Sequence, residues 1–175
     1  SPFKTLTLIL LTMKKTLILG FGNLDRQDDG VAWHILNRIS AQYNYVICDC
    51  PEEIPVNITE NLDVYFLLQL MPELAEEIAV YDRICFVDAH TGSVPDEIHI
   101  APVSSCFQNS PLTHHLTPET LMCFVHDIYH KTPEALLVSV RGYDFKFERD
   151  LSERTDFLAN QAVDEINNWI QQTEN

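Results

Sequence analysis

Apolar positions along the chain follow two rhythms. Short runs rich in β-branched and aromatic residues at 16–19, 45–48, 64–68, 83–87, 97–100 and 136–140 predict strands. Longer amphipathic stretches lie between several of them. Across 29–41, Val31, Ile35, Leu36 and Ile39 recur at helical spacing with polar residues between. Segment 72–80 opens on Pro72-Glu73, a good first helical turn. The next helix opens on Thr117-Pro118-Glu119: an N-cap hydroxyl, a proline at the first helical position and an acid near the positive dipole end. The last, 151–171, sets Leu151, Phe157, Leu158, Ala162, Ile166, Trp169 and Ile170 along one face. Strands alternating with helices predict an α/β three-layer sandwich, a mainly parallel central sheet flanked by helices.

No repeat, low-complexity tract or linker divides the pattern, so 13–175 reads as a single domain. Residues 1–12 precede Met13-Lys14-Lys15 and read as an N-terminal extension with no part in the chemistry. Their apolar run, 5–12, is far short of a membrane span, and it lacks the basic start and small-residue cleavage site of a secretory signal. The expectation is a soluble, cytoplasmic protein with no membrane partner.

Charge narrows the partners. The 175 residues carry 11 Lys and Arg against 26 Asp and Glu, a formal net charge of −15, so nucleic acid is excluded as a ligand for want of clustered cations. Carboxylates able to meet a metal or a basic peptide are plentiful. The five cysteines are Cys48, Cys50, Cys85, Cys106 and Cys123, an odd set with no C-x-x-C pair. They read as small buried hydrophobes in a reducing compartment rather than as a disulfide framework. Cys48-Asp49-Cys50 is the one pair that could bind a metal, and it lacks third and fourth ligands.

Three constellations could carry chemistry. The first, Gly20-Phe21-Gly22-Asn23 running to Asp28-Asp29-Gly30, follows the first strand and opens the first helix. A dinucleotide fingerprint would need a glycine where Asp25 stands, and two acids at the helix start would repel a pyrophosphate. The helix dipole alone accounts for one of the two acids. The second is Val87-Asp88-Ala89-His90-Thr91-Gly92, a carboxylate ending an apolar strand. The third, Pro111-Leu112-Thr113-His114-His115-Leu116, brings a histidine pair to a helix start. An extended chain there sends successive side chains to opposite sides, so only one of the pair can face a given cleft. Two carboxylates and an imidazole form an O,O,N set suited to a borderline divalent metal. His126 and His130, four apart on a helix, read as solvated or packed, and His34 and His99 have no partner in a motif. No G-x-S-x-G elbow and no H-E-x-x-H helix is present.

Together these motifs resemble the hydrogenase maturation proteases. The resemblance extends to Gln69-Leu70-Met71-Pro72-Glu73-Leu74-Ala75, Val138-Ser139-Val140 with Gly142, and Leu151-Ser152, and covers the chain from Met13 to about residue 170. Asp29 stands where many members carry Glu, and Ala32 replaces a frequent glycine. The resemblance implies an endopeptidase that removes a C-terminal extension from a [NiFe] hydrogenase large-subunit precursor after nickel insertion. It recognises nickel supplied by that precursor through Asp29, Asp88 and His114, with His115 as a supporting neighbour. It leaves Asp28 as a helix-start acid worth about 0.3–1 kcal/mol. A non-cleaving metal-binding chaperone of the same precursor would share these ligands.

Overall fold

The computed structural model describes residues 13–105 and 116–172. Among them, apolar Thr16–Phe21 forms strand β1, and its position at the centre of the sheet explains why it has no polar alternation. The other strands are β2 (Val56–Thr59), β3 (Leu62–Leu67), β4 (Arg83–His90), β5 (Ile98–Pro102) and β6 (Glu134–Arg141). The helices are α1 (Val31–Ala41), α2 (Leu74–Ile78), α3 (Pro118–Tyr129) and α4 (Glu153–Gln171), with a 3-10 turn at Gln27–Gly30 leading into α1.

The sheet runs β2-β3-β1-β4-β6-β5. Its inner four strands are parallel, and β2 and β5 are antiparallel edges. One face packs Val31, Ile35 and Ile39 of α1 and Leu158, Ala162 and Ile166 of α4 against Ile18, Cys85, Val87 and Val138. The other packs Leu74 and Ile78 of α2 and Leu121 and Val125 of α3 against Leu17, Leu19, Ile84 and Phe86. This is the three-layer α/β sandwich expected from the strand–helix alternation. No described helix is long and apolar enough to cross a membrane.

The cap of α3 is the one that the sequence predicts. The Thr117 hydroxyl accepts from the Thr120 amide at 3.2 Å with Pro118 in the first turn, and Ser152 caps α4 by accepting from Thr155. Three expectations fail. Residues 45–48 are not a strand, because the outer edge of β3 is already taken by β2 folding back through a tight turn at 60–61. Only Ile47 of that run is buried, and Val46 is 84% exposed. Phe157 faces away from the α4 core stripe and is exposed, under the guanidinium of Arg154. Finally, Cys48 and Cys50 are exposed and joined as a disulfide rather than held as buried thiols, while Cys85 and Cys123 are buried as expected. Residues 1–12 and Cys106 lie outside the described residues.

Candidate functional site

In a doubly wound sheet the loops after β1 and β4 depart to opposite sides, since β1 crosses over to β3 and the chain then returns past it to β4. Such a switch point opens a crevice beyond the carboxyl ends of the strands. Asp29 and Asp88 belong to these two exits. After β1, Gly22 adopts φ +146° and lies so close to the next turn that a Cβ would sit 2.1 Å from the Asp29 carbonyl oxygen. Only glycine fits there. That approach lets the Asn23 amide donate to Asp29 Oδ2 at 2.9 Å, while Asn23 Oδ1 accepts from the Asp25 amide at 3.0 Å. Asp29 is thereby fixed by the loop that precedes it.

Asp28 has a different role from the helix-start acid expected. It is fully buried, and its carboxylate accepts from the amides of Tyr143, Asp144 and Ser152 and the hydroxyls of Ser152 and Thr155, at 2.6–3.0 Å. Burial works to raise this carboxyl, but the amides of Asp144, Tyr143 and Ser152 and the Ser152 hydroxyl hold it below the ordinary value. The Asp28 amide in turn donates to the Asp144 carbonyl, and the Lys146 amide to Gln27 Oε1. Asp28 therefore ties the β1 exit to the segment joining β6 to α4.

Asp88 lies near the end of β4, two residues beyond Phe86 and so on the sheet face that α2 and α3 cover. Its cross-strand partner on β6 is Ser139, and the partner of Ser139 on β5 is His99. Directly paired residues share a face, so Asp88, Ser139 and His99 form a polar row across three strands. The row lines a cleft of about 430 Å³, together with His90, Thr91 and Leu137. Burial pushes the Asp88 carboxyl up to about 6; a Ser139 hydrogen bond and the nearby His99 oppose the rise, and the charges of Asp29 and of Glu119 on α3 add to it. Asp88 Oδ1 is buried with no hydrogen-bond partner among the described residues. A buried carboxylate oxygen in the field of two further acids suits a cationic ligand.

Among the described residues no three His, Cys, Asp or Glu side chains are grouped so as to hold a metal ion. The structure thus brings Asp29 and Asp88 to neighbouring strand exits. His114 and His115, from which the third ligand was expected, lie outside the described residues. His99 and Ser139 were given no role by sequence reasoning. An alternation of polar His99 between Ile98 and Ile100 was the available signal, but its register with Ser139 depends on β5 returning antiparallel. His34 lies off the cleft, its Nε2 paired with the Arg149 carbonyl at 2.9 Å. His126 is exposed beside Asp127, and His130 ends α3 in a left-handed conformation. His90 closes a local turn, its Nδ1 accepting from the Gly92 amide at 3.1 Å.

No protein-family model matches the chain, and no curated protein matches it by sequence. Its fold is similar to that of the [NiFe] hydrogenase maturation protease HycI from Thermococcus kodakarensis KOD1, with a TM-score of 0.65 and 19% identity over 95% of this chain and 99% of that one. It is also similar to the hydrogenase maturating endopeptidase HybD from E. coli, with a TM-score of 0.65 and 15% identity over 91% and 93% of the two chains. A third is the hydrogenase 2 maturation peptidase from Thaumarchaeota archaeon SCGC_AB-539-E09, with a TM-score of 0.56 and 18% identity over 87% and 95%. The fold is that of the hydrogenase maturation proteases.

Proposed function

We propose that this protein is an endopeptidase that removes a C-terminal extension from a [NiFe] hydrogenase large-subunit precursor once nickel is in place. The observation that carries the proposal is the buried Asp88 oxygen, without a partner among the described residues, on a strand neighbouring the exit that holds Asp29, on a fold shared with proteins named for that activity. The metal belongs to the substrate. Asp29 and Asp88 supply two oxygen donors to its exposed face, and His114, one residue before His115, supplies a nitrogen. Such a donor set suits a borderline divalent ion with positions left open for water or a peptide carbonyl. The protein's own contribution is placement: Asn23 holds Asp29, and Ser139 holds Asp88. The strongly acidic chain attracts a cationic site and excludes polyanions. The expected setting is the cytoplasm.

The test is intact-mass spectrometry of a nickel-loaded large-subunit precursor incubated with the protein. Loss of a C-terminal fragment supports the peptidase. A stable complex whose subunit masses are unchanged identifies a non-cleaving, metal-recognising chaperone instead.

A further inference from the structure

The Cys48-Asp49-Cys50 segment carries chemistry that the peptidase reading leaves unused. All three residues are exposed, and the two cysteines form a disulfide with their Cα atoms 5.3 Å apart, inside the ordinary range. With one residue enclosed, the bridge constrains very little unfolded chain, so a stabilising staple is a poor account of it. The segment is nonetheless firmly held. Trp33 Nε1 donates to the Cys48 carbonyl at 2.7 Å. Arg149 donates from Nη1 to Asp49 Oδ2 at 3.0 Å and from Nε to Asp25 Oδ1 at 2.7 Å. The Asp25 amide donates to Asn23 Oδ1, and the Asn23 amide to Asp29 Oδ2. A continuous chain of contacts therefore runs from the disulfide loop to Asp29.

We propose that Cys48 and Cys50 form a thiol–disulfide redox site, opened by a thiol reductant and coupled through Arg149 to the loop that holds Asp29. A thiolate of the reductant attacks one sulfur of the pair, forming a mixed disulfide as the Cys48–Cys50 bond breaks, and the displaced sulfur takes a proton. A second thiolate from the reductant attacks the reductant's own sulfur in the mixed disulfide, which frees the other cysteine as a thiol. The reductant leaves as a disulfide, having lost two electrons, and the pair has gained two electrons and two protons. Exposure gives the attacking thiolate access to the pair, whereas burial raises the Cys85 thiol and keeps it out of exchange. Opening the ring releases Asp49 from its fixed position, so Arg149 is steadied from one side only and its hold on Asp25 loosens. This proposal is independent of what the protein cleaves.

The full-length protein is equilibrated in mixtures of reduced and oxidised glutathione, quenched in acid and alkylated, and each cysteine is followed by peptide mass mapping. Cys48 and Cys50 are expected to pass together from unlabelled to labelled as the reduced form increases, with Cys85 unlabelled throughout. Labelling of both in oxidised glutathione alone, or neither after dithiothreitol, overturns the redox site. Hydrogen exchange at the Asn23 and Asp25 amides reads the coupling. It is expected to quicken several-fold on reduction, and a Cys48→Ser/Cys50→Ser variant should match the reduced protein without added reductant. Equal exchange in both redox states overturns the coupling.

Discussion

Asp28 and Ser152, 124 positions apart, are bonded twice: the Ser152 amide donates to Oδ1 at 2.8 Å and its hydroxyl to Oδ2 at 2.6 Å. The same serine caps α4, so one residue both starts the C-terminal helix and anchors it to the β1 exit. The acid beside Asp29 is thus a structural hub.

Replacing Asp28 with Asn leaves buried donors facing an NH₂ group, and the expected cost is on the order of 3 kcal/mol, well above a helix-dipole contribution. Urea unfolding measures it; a loss below about 1 kcal/mol would return Asp28 to the dipole reading. Because the native carboxyl is held below its ordinary 3.8, its contribution is complete above that value and fades as pH falls toward the native value. Acid unfolding of Asp28→Asn should lack that component.

Asp88 has the opposite sign. Burial pushes its carboxyl up to about 6 from an ordinary 3.8, so the charged form opposes folding; the penalty grows between those two values and is complete above the higher. Asp88→Asn is expected to stabilise the protein at neutral pH by about 2 kcal/mol while abolishing processing. Thermal unfolding at pH 7 and at pH 4 separates the two regimes, and an equal effect at both pH values would refute the assignment.

Ser139→Ala removes a hydrogen bond that lowers the Asp88 carboxyl, so ionisation of Asp88 should move to higher pH. Rates of precursor processing against pH should show their acidic limb displaced upward. An unchanged limb would mean that Ser139 does not hold Asp88 during the reaction.

Gly22→Ala forces a Cβ against the Asp29 carbonyl at a backbone angle that L-residues rarely adopt. The expected outcome is a loss of roughly 1–3 kcal/mol and a larger loss of processing, since Asp29 must move. Comparing unfolding with cleavage rates tests this; cleavage that falls no further than stability explains would count against Gly22 as the residue that positions Asp29.

Local signals made much of this fold legible. Thr117-Pro118-Glu119 announced its helix because a cap is a bond between near neighbours in sequence. Strand β2 gave little warning, since Val56-Asn57-Ile58-Thr59 is a short, half-exposed edge. The more apolar 45–48 looked like a strand but has no free edge to join. Non-local pairing hid the rest. Asp28 is defined by donors from 143–155, and His99 reaches the cleft only through the antiparallel register of β5 on β6. The disulfide was missed because C-x-C is not a spacing that a buried-thiol argument examines.

The most direct test of the central claim follows cleavage of nickel-loaded and nickel-free precursor by the wild-type protein and by Asp29→Asn and Asp88→Asn, read as intact mass over time. The wild type is expected to shorten the loaded precursor alone, and both variants, folded as judged by circular dichroism, to leave it at full length. Cleavage by either variant at the wild-type rate, or no shortening of the loaded precursor by the wild type, would contradict that claim.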